Sequence, residues 1–341
     1  MRRRSIYYGG PGALHFYARL VLIFALGGVG MLLLPGCQPK VATDAPQSLR
    51  TQELGAEPPN VLIIVVDDAG FSDLGFTGSE IPTPNIDALA SQGIVLTNFH
   101  TAPTCSPTRS MLLSGVDSHI AGLGNMFEEL APNQKGQSGY EGYLHERVAP
   151  LPALFQDAGY QTFMSGKWHL GLTQEQGPTQ RGFNQAFALL QGGAGHFSDM
   201  QSLWETEVGN RGKAKYREDG KLLDQLPNNF EYSSQFYVDQ LIGYIEQHVV
   251  STAEAKTPFF AYLAFSAPHW PLQAPPKAIA RHKGKYDAGY DVLAAQRLAR
   301  QIELGILPTG TPLSPRPSDA PAWQDLPAGE QALSARRMEI Y

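Results

Sequence analysis

Apolar and polar positions fall into short blocks along the chain, and their spacing predicts alternating strands and helices. Asn60 to Val66 reads Asn-Val-Leu-Ile-Ile-Val-Val and runs into Asp67-Asp68 and a glycine turn. A continuous β-branched run of this kind predicts a strand buried on both faces of a parallel sheet. Pro84 to Gln92 has helical apolar spacing with a stop at Gly93, and Ile94 to Phe99 predicts a second strand. The segment following Pro107, with Arg109, Met111, Leu112 and Leu113, predicts a helix with proline near its first turn. Leu151 to Asp157 is a short helix closed by Gly159, and Tyr160 to Met164 is a strand. Gln235 to Val250 carries a helical period through Phe236, Val238, Leu241, Ile245 and Val249, and Pro258 to Phe265 is another buried strand. Strands alternating with helices predict an α/β fold built on a doubly wound, mostly parallel sheet. Ligands of such sheets gather outside the carboxyl ends of the strands. That rim would carry Asp67, Asp68, the region after Phe99, Lys167 to His169, and His269.

Residues 1–37 have a different pattern. Arg2, Arg3, Arg4 and Arg19 precede an apolar stretch from Leu20 to Leu34, then Pro35-Gly36-Cys37. A basic start, an apolar centre too short for a membrane span of about 20 residues, and a small residue before the cut predict an export signal. The alternative is an uncleaved anchor helix. Leu34-Pro35-Gly36-Cys37 resembles a bacterial lipobox, which implies lipidation of Cys37; Pro35 departs from the usual small or aliphatic residue. Gln38 would favour outer-membrane attachment. The expected location is the periplasm or the outer membrane, with secretion or inner-membrane anchoring as alternatives. Residues 38–58 are polar and rich in Pro, Ala, Thr and Gln, a composition that cannot bury a core and reads as a tether. Residues 59–341 would form the folded part.

Composition narrows the partners. With 43% hydrophobic and 17% charged residues the chain fits a globular body. A net charge of -6 with scattered Lys and Arg gives no footprint for nucleic acid. Contact with a membrane is expected only through the N-terminal signal or lipid anchor. The two cysteines, Cys37 and Cys105, sit in unrelated contexts, so no disulfide is expected.

The candidate chemistry lies at the strand ends. Adjacent Asp67 and Asp68 repel unless a cation compensates them, and hard carboxylate oxygens suit Ca²⁺ or Mg²⁺; a solvated turn is the competing reading. Cys105-Ser106-Pro107-Thr108-Arg109 resembles the sulfatase signature Cys-x-Pro-x-Arg, continued by Ser110-Met111-Leu112-Leu113-Ser114-Gly115. Gly166-Lys167-Trp168-His169-Leu170-Gly171 resembles the family's second signature, and Ala267-Pro268-His269-Trp270-Pro271-Leu272 the segment supplying a later active-site histidine.

The resemblance to type I arylsulfatases, of the alkaline phosphatase superfamily, runs from about Asn60 to the chain end. It implies an alkaline phosphatase-like fold and hydrolysis of sulfate monoesters. It also implies oxidation of Cys105 to formylglycine by a formylglycine-generating enzyme. Sulfuryl transfer needs positioning and charge stabilisation above all. By the same resemblance Asp67, Asp68 and residue 105 hold a divalent cation, Ca²⁺ with Mg²⁺ as alternative. Arg109 orients the formylglycine, Lys167 meets the sulfate or the nucleophile, His169 is the base of the elimination step, and His269 donates to the sulfate or leaving oxygen.

The chain also departs from the family. The family adds two metal ligands from an Asp-Asn pair after a later strand and a lysine beyond that pair; no strand followed by Asp-Asn-Gly appears downstream of His269. The expectation is a sulfatase N-terminal catalytic part that stops before its last strands and C-terminal subdomain, exposes an apolar edge and face, and is poorly folded or inactive unless a second polypeptide completes it. Two further functions remain open: a phosphonate or phosphate ester hydrolase of the same superfamily, and a non-catalytic lipoprotein that binds sulfated glycans. Small aryl sulfates or sulfated glycans are the expected substrates. Gly122 to Tyr143 and Gly192 to Gly220 are specificity loops or long connections.

Overall fold

Val61–Asp67 forms β1, Pro84–Gln92 forms α1 and Cys105–Ser114 forms α2. Leu151–Asp157 (α3), Gln161–Lys167 (β2) and Gln185–Leu189 (β3) follow. Next come Gln201–Glu205 (β4), Arg211–Lys213 (β5), Tyr216–Glu218 (β6), Lys221–Leu222 (β7) and Ser233–Ser251 (α4). Phe259–Pro268 (β8), Pro276–Ala280 (α5), Tyr290–Glu303 (α6) and Ala328–Ile340 (α7) complete the series. The structure is a computed structural model that describes residues 57–205, 211–251 and 257–341. The signal segment, Cys37 and the tether up to residue 56 lie outside the described residues.

Six strands form one sheet in the order β1-β8-β2-β3-β6-β7. The first four are mutually parallel, and β6 and β7 extend the sheet antiparallel beyond β3. β4 and β5 pair in a separate two-stranded ladder. Within the segment from Gly192 to Gly220, the described residues thus include three strands, β4, β5 and β6.

Alternation along β8 explains the two layers. Phe260, Tyr262 and Ala264 enter a core with Leu113 of α2, Met164, Trp168 and Phe183, against which Leu151 and Phe155 of α3 pack. Ala261 and Leu263 enter the opposite core with Phe236, Tyr237, Leu241 and Tyr244 of α4. Phe155 stacks on Phe260 with ring centroids 4.5 Å apart. Burial of each such side chain stabilises the fold by about 1.5–3 kcal/mol. β2 and β8 approach closely at Gly166, where φ is +119° and a Cβ would lie 1.8 Å from the Ala264 carbonyl oxygen. No other residue fits there, and the next residue is Lys167.

Two expectations are corrected. β1 is an edge strand, not a strand buried on both faces. Val61, Ile63 and Val65 pack on the α2/α3 core, while Leu62, Ile64 and Val66 are 49%, 47% and 38% exposed. α4 packs mainly on β8 and β2, with a smaller contact on β3. Ile94 to Phe99 forms no strand; it is irregular, with Ile94 88% exposed. Its β-branched composition suits a strand, but no ladder partner runs beside it among the described residues, and β propensity counts only where a pleated neighbour exists.

α6 and α7 are tied to the loop that follows β1. Arg297 of α6 meets both Glu80 carboxylate oxygens at 2.8 Å and Asp73 Oδ1 at 2.6 Å. Tyr341, at the end of α7, donates its one hydroxyl proton to Asp73 Oδ2 at 2.7 Å, with the Asp68 carbonyl 3.1 Å from the same oxygen. α7 thus ends against the carboxyl end of β1.

Candidate active site

Asp67, the last residue of β1, is buried. Its Oδ1 accepts from Arg109 Nη2 at 3.0 Å and its Oδ2 from Lys167 Nζ at 2.5 Å. Burial alone would raise this carboxyl's pKa. The Arg109 and Lys167 charges, with the Lys167 hydrogen bond, outweigh it and hold the group below the usual aspartate range. Arg109 is buried one turn into α2; its Nη1 donates to the Lys167 carbonyl at 2.8 Å and to the Tyr262 hydroxyl at 3.3 Å. Desolvation opposes its charge, but Tyr262 and Asp67 keep its pKa raised.

Asp68 adopts a left-handed conformation, φ 63°. Aspartate tolerates this region better than most residues, and the turn directs consecutive carboxylates to different partners. Oδ1 of Asp68 lies 3.8 Å from Cys105 Sγ and Oδ2 lies 3.6 Å from His269 Nε2. Cys105 is the first residue of α2 and a free thiol, so it meets the positive end of the helix dipole. One ligand atom each of Asp67, Cys105 and His269 falls within a 4.8 Å group.

His269 follows β8. Its Nδ1 lies 2.7 Å from the Trp270 carbonyl, and since a carbonyl only accepts, the proton sits on Nδ1 and Nε2 faces Asp68. With the proton on Nδ1, Nε2 can donate only from the imidazolium form. Behind it, His196 Nε2 donates to the His269 carbonyl at 3.0 Å, and Ser233 supplies a hydroxyl to His196 Nδ1 at 3.0 Å. Burial lowers the His196 pKa and outweighs the hydrogen bond to the His269 carbonyl, which raises it; this suits a neutral ring in that role.

His169 is also left-handed, φ 56°. Its Nε2 donates to Glu128 Oε2 at 3.1 Å, and its buried Nδ1 has no partner among the described residues. Burial would raise the Glu128 carboxyl; His169 and, more weakly, Lys167 bring it below the ordinary range. Non-glycine residues in this backbone region carry strain, which gathers at functional sites; both examples here follow a site strand.

The predicted rim is therefore assembled from β1, α2, β2 and β8. The hydrogen bonds of Arg109 go to Asp67, Lys167 and Tyr262, and Cys105 is near enough to contribute to its electrostatics. Lys167 is likewise engaged by Asp67. Sequence reading did not find Glu128, His196 or Tyr262. Glu128 sits in the short 3₁₀ turn Phe127–Glu129 inside the Gly122–Tyr143 segment, which carries no periodicity to mark it.

The donor set admits a divalent cation between the carboxylates of Asp67 and Asp68 and residue 105. As a thiol with an imidazole beside it, residue 105 gives a mixed set; an oxygen function there would make the set suit a hard cation. The described residues supply fewer oxygens than the six to eight that Ca²⁺ takes.

A family model described as Sulfatase matches residues 59–318. An uncharacterised sulfatase of Schizosaccharomyces pombe is 47% identical over 289 residues, which cover 83% of this chain and 51% of that protein. The arylsulfatase of Klebsiella aerogenes is 42% identical over 285 residues, 84% of this chain and 59% of that one. The chain thus spans between about half and three fifths of these relatives' length. Among solved structures, Ps i-CgsB in complex with k-i-k-neocarrahexaose is similar with a TM-score of 0.55 and 27% identity, covering 73% of this chain and 55% of that one.

Proposed function

The chain belongs to the sulfatase family of the alkaline phosphatase superfamily, and on that premise we propose that the protein hydrolyses sulfate monoesters with residue 105 as nucleophile. One observation carries the reading: Cys105 meets Asp67 and His269 within 4.8 Å at the carboxyl rim of the sheet. Formylglycine formed from Cys105, with a divalent cation such as Ca²⁺ held by Asp67 and Asp68, would supply an activated hydroxyl and neutralise sulfate oxygens when present.

The chain's own residues divide the remaining work. Arg109 and Lys167 offset the charges of Asp67 and Asp68, and a bound divalent cation would add the positive charge that draws a sulfate monoanion to the rim. His269 presents Nε2 toward the reacting group and, as the imidazolium, donates to the leaving oxygen. His169, with Nε2 tied to Glu128, has Nδ1 left to accept a proton. Asp68 stands between Cys105 and His269 and keeps the two in register.

Aryl sulfates and sulfated sugars are both compatible with this centre; the relative crystallised with k-i-k-neocarrahexaose supports a glycan. An exported, envelope-attached protein anchored through Cys37 belongs to the same reading and rests on Leu34-Pro35-Gly36-Cys37. Co-expression with a formylglycine-generating enzyme and assay of 4-nitrophenyl sulfate, phosphate and phosphonate tests the reaction. Sulfate turnover that disappears in Cys105→Ala is expected. Faster turnover of the phosphate or phosphonate ester would overturn the sulfatase reading.

A further inference from the structure

A cavity of about 300 Å³ opens beside the reaction centre, with Asp68, His269, Trp270, Arg337, Met338 and Tyr341 among its lining residues. Asp68 and His269 also flank Cys105. A substrate whose sulfate is at residue 105 therefore has this cavity open to its leaving group. The volume is at the low end of ligand pockets, about 300–1,000 Å³, and suits a single ring.

Two side chains give the cavity its selectivity. Trp270 is 58% exposed despite its size, so an indole face is free for a ring whose C–H groups carry slight positive charge. Arg337 is the second. The other arginines of α6 and α7 are paired: Arg336 holds Glu339 at 2.7 Å, Arg300 holds Glu303 at 2.6 Å, and Arg297 holds Asp73 and Glu80. Arg337 has no ion pair among the described residues. Arg337 thus brings an uncompensated guanidinium to a cavity that also contains the Asp68 anion. A second anion on the ring would be repelled by Asp68 unless that guanidinium met it, and guanidinium binds carboxylate and sulfate in bidentate fashion.

Resting on the sulfate-ester reading, we propose that Trp270 and Arg337 form a leaving-group subsite selecting a sulfated sugar ring with a second anionic substituent. The substituent is a sulfate or a carboxylate; neutral aryl sulfates use Trp270 alone.

Binding is measured apart from turnover, by titrating glucosamine 2-N,6-O-disulfate and a 6-O-sulfated uronate-linked disaccharide into Cys105→Ala protein and into Cys105→Ala/Arg337→Ala. Loss of the guanidinium should weaken at least one of them about tenfold, as for a charged hydrogen-bonded pair, and the stronger of the two identifies the substituent. Arg337→Lys should recover part of it. Affinity for 4-nitrophenyl sulfate should stay within about twofold. Equal weakening of the neutral and anionic ligands, or no weakening of either anionic one, overturns the subsite. Selective binding without sulfate release from the matured Cys105 protein would instead count against the hydrolytic reading and leave the subsite standing.

Discussion

Lys167 Nζ lies 2.5 Å from Asp67 Oδ2, although 100 positions separate the two residues. The strands they terminate do not touch, because β8 lies between them, and Pro268 of β8 is in register with Asp67. The contact therefore passes over the end of β8 directly beside His269. Arg109 reaches the same carboxylate from α2. One anion thus holds the ends of β1 and β2 and the first turns of α2 in one place.

Removing that anion strands two buried cations. Asp67→Asn should lower stability by about 3–5 kcal/mol, read as a shift of the urea midpoint. Lys167→Met leaves the Arg109–Asp67 pair balanced and should cost clearly less. An equal or larger loss for Lys167→Met would show that packing, not charge, sets the balance.

Acid sensitivity follows from the same carboxylates. Asp67 and Glu128 both have folded pKa values below their unfolded ones. Their contribution is complete above the ordinary carboxylate range of about 4 and is lost as pH falls through the lowered folded values. His196, lowered by burial, adds an earlier decline as pH falls below about 6.5. Unfolding free energy measured from pH 7 downward should show both steps, and the gap between wild type and Asp67→Asn should narrow below about pH 4. A gap that stays constant would contradict the coupling.

Glu128 touches His169 rather than the reacting atoms. Glu128→Gln should reduce kcat about tenfold or more while KM changes little, since its effect runs through the orientation of a proton acceptor. Glu128→Asp should recover part of the rate. A rise in KM without change in kcat would move Glu128 to substrate binding.

The two residue sets differed in how legible they were. Asp67, Asp68, Lys167 and His269 end or directly follow strands whose apolar runs are plain, which places them on one rim, whereas Cys105 was legible through the resemblance of Cys105 to Arg109 to the sulfatase signature. β2, β8, α3 and α4 were readable from their apolar patterning. Glu128 was not, because it reaches His169 across 41 positions from a segment whose form is set by tertiary contacts. The run Ile94 to Phe99 misled because six residues of strand-like composition do not carry information about whether a neighbour exists. Composition also could not show that β1 has one covered and one open face.

That open face makes the last prediction. Leu62, Ile64 and Val66 lie on one side of an edge strand, and the segment after β1 adds exposed Phe71, Ile94, Leu96 and Phe99. Contiguous apolar surface and a free strand edge both favour association. Thr keeps the β preference of the site while removing apolar surface. Leu62→Thr and Ile64→Thr, on the open face, should leave the urea midpoint nearly unchanged and reduce association in light scattering. Val61→Thr and Ile63→Thr, one residue out of phase, bury a hydroxyl in the α2/α3 core and should cost about 1–3 kcal/mol each. A loss of stability of similar size from both pairs would mean that the face bearing Leu62 and Ile64 is covered in solution, and the alternation of burial along β1 would then have to be redrawn.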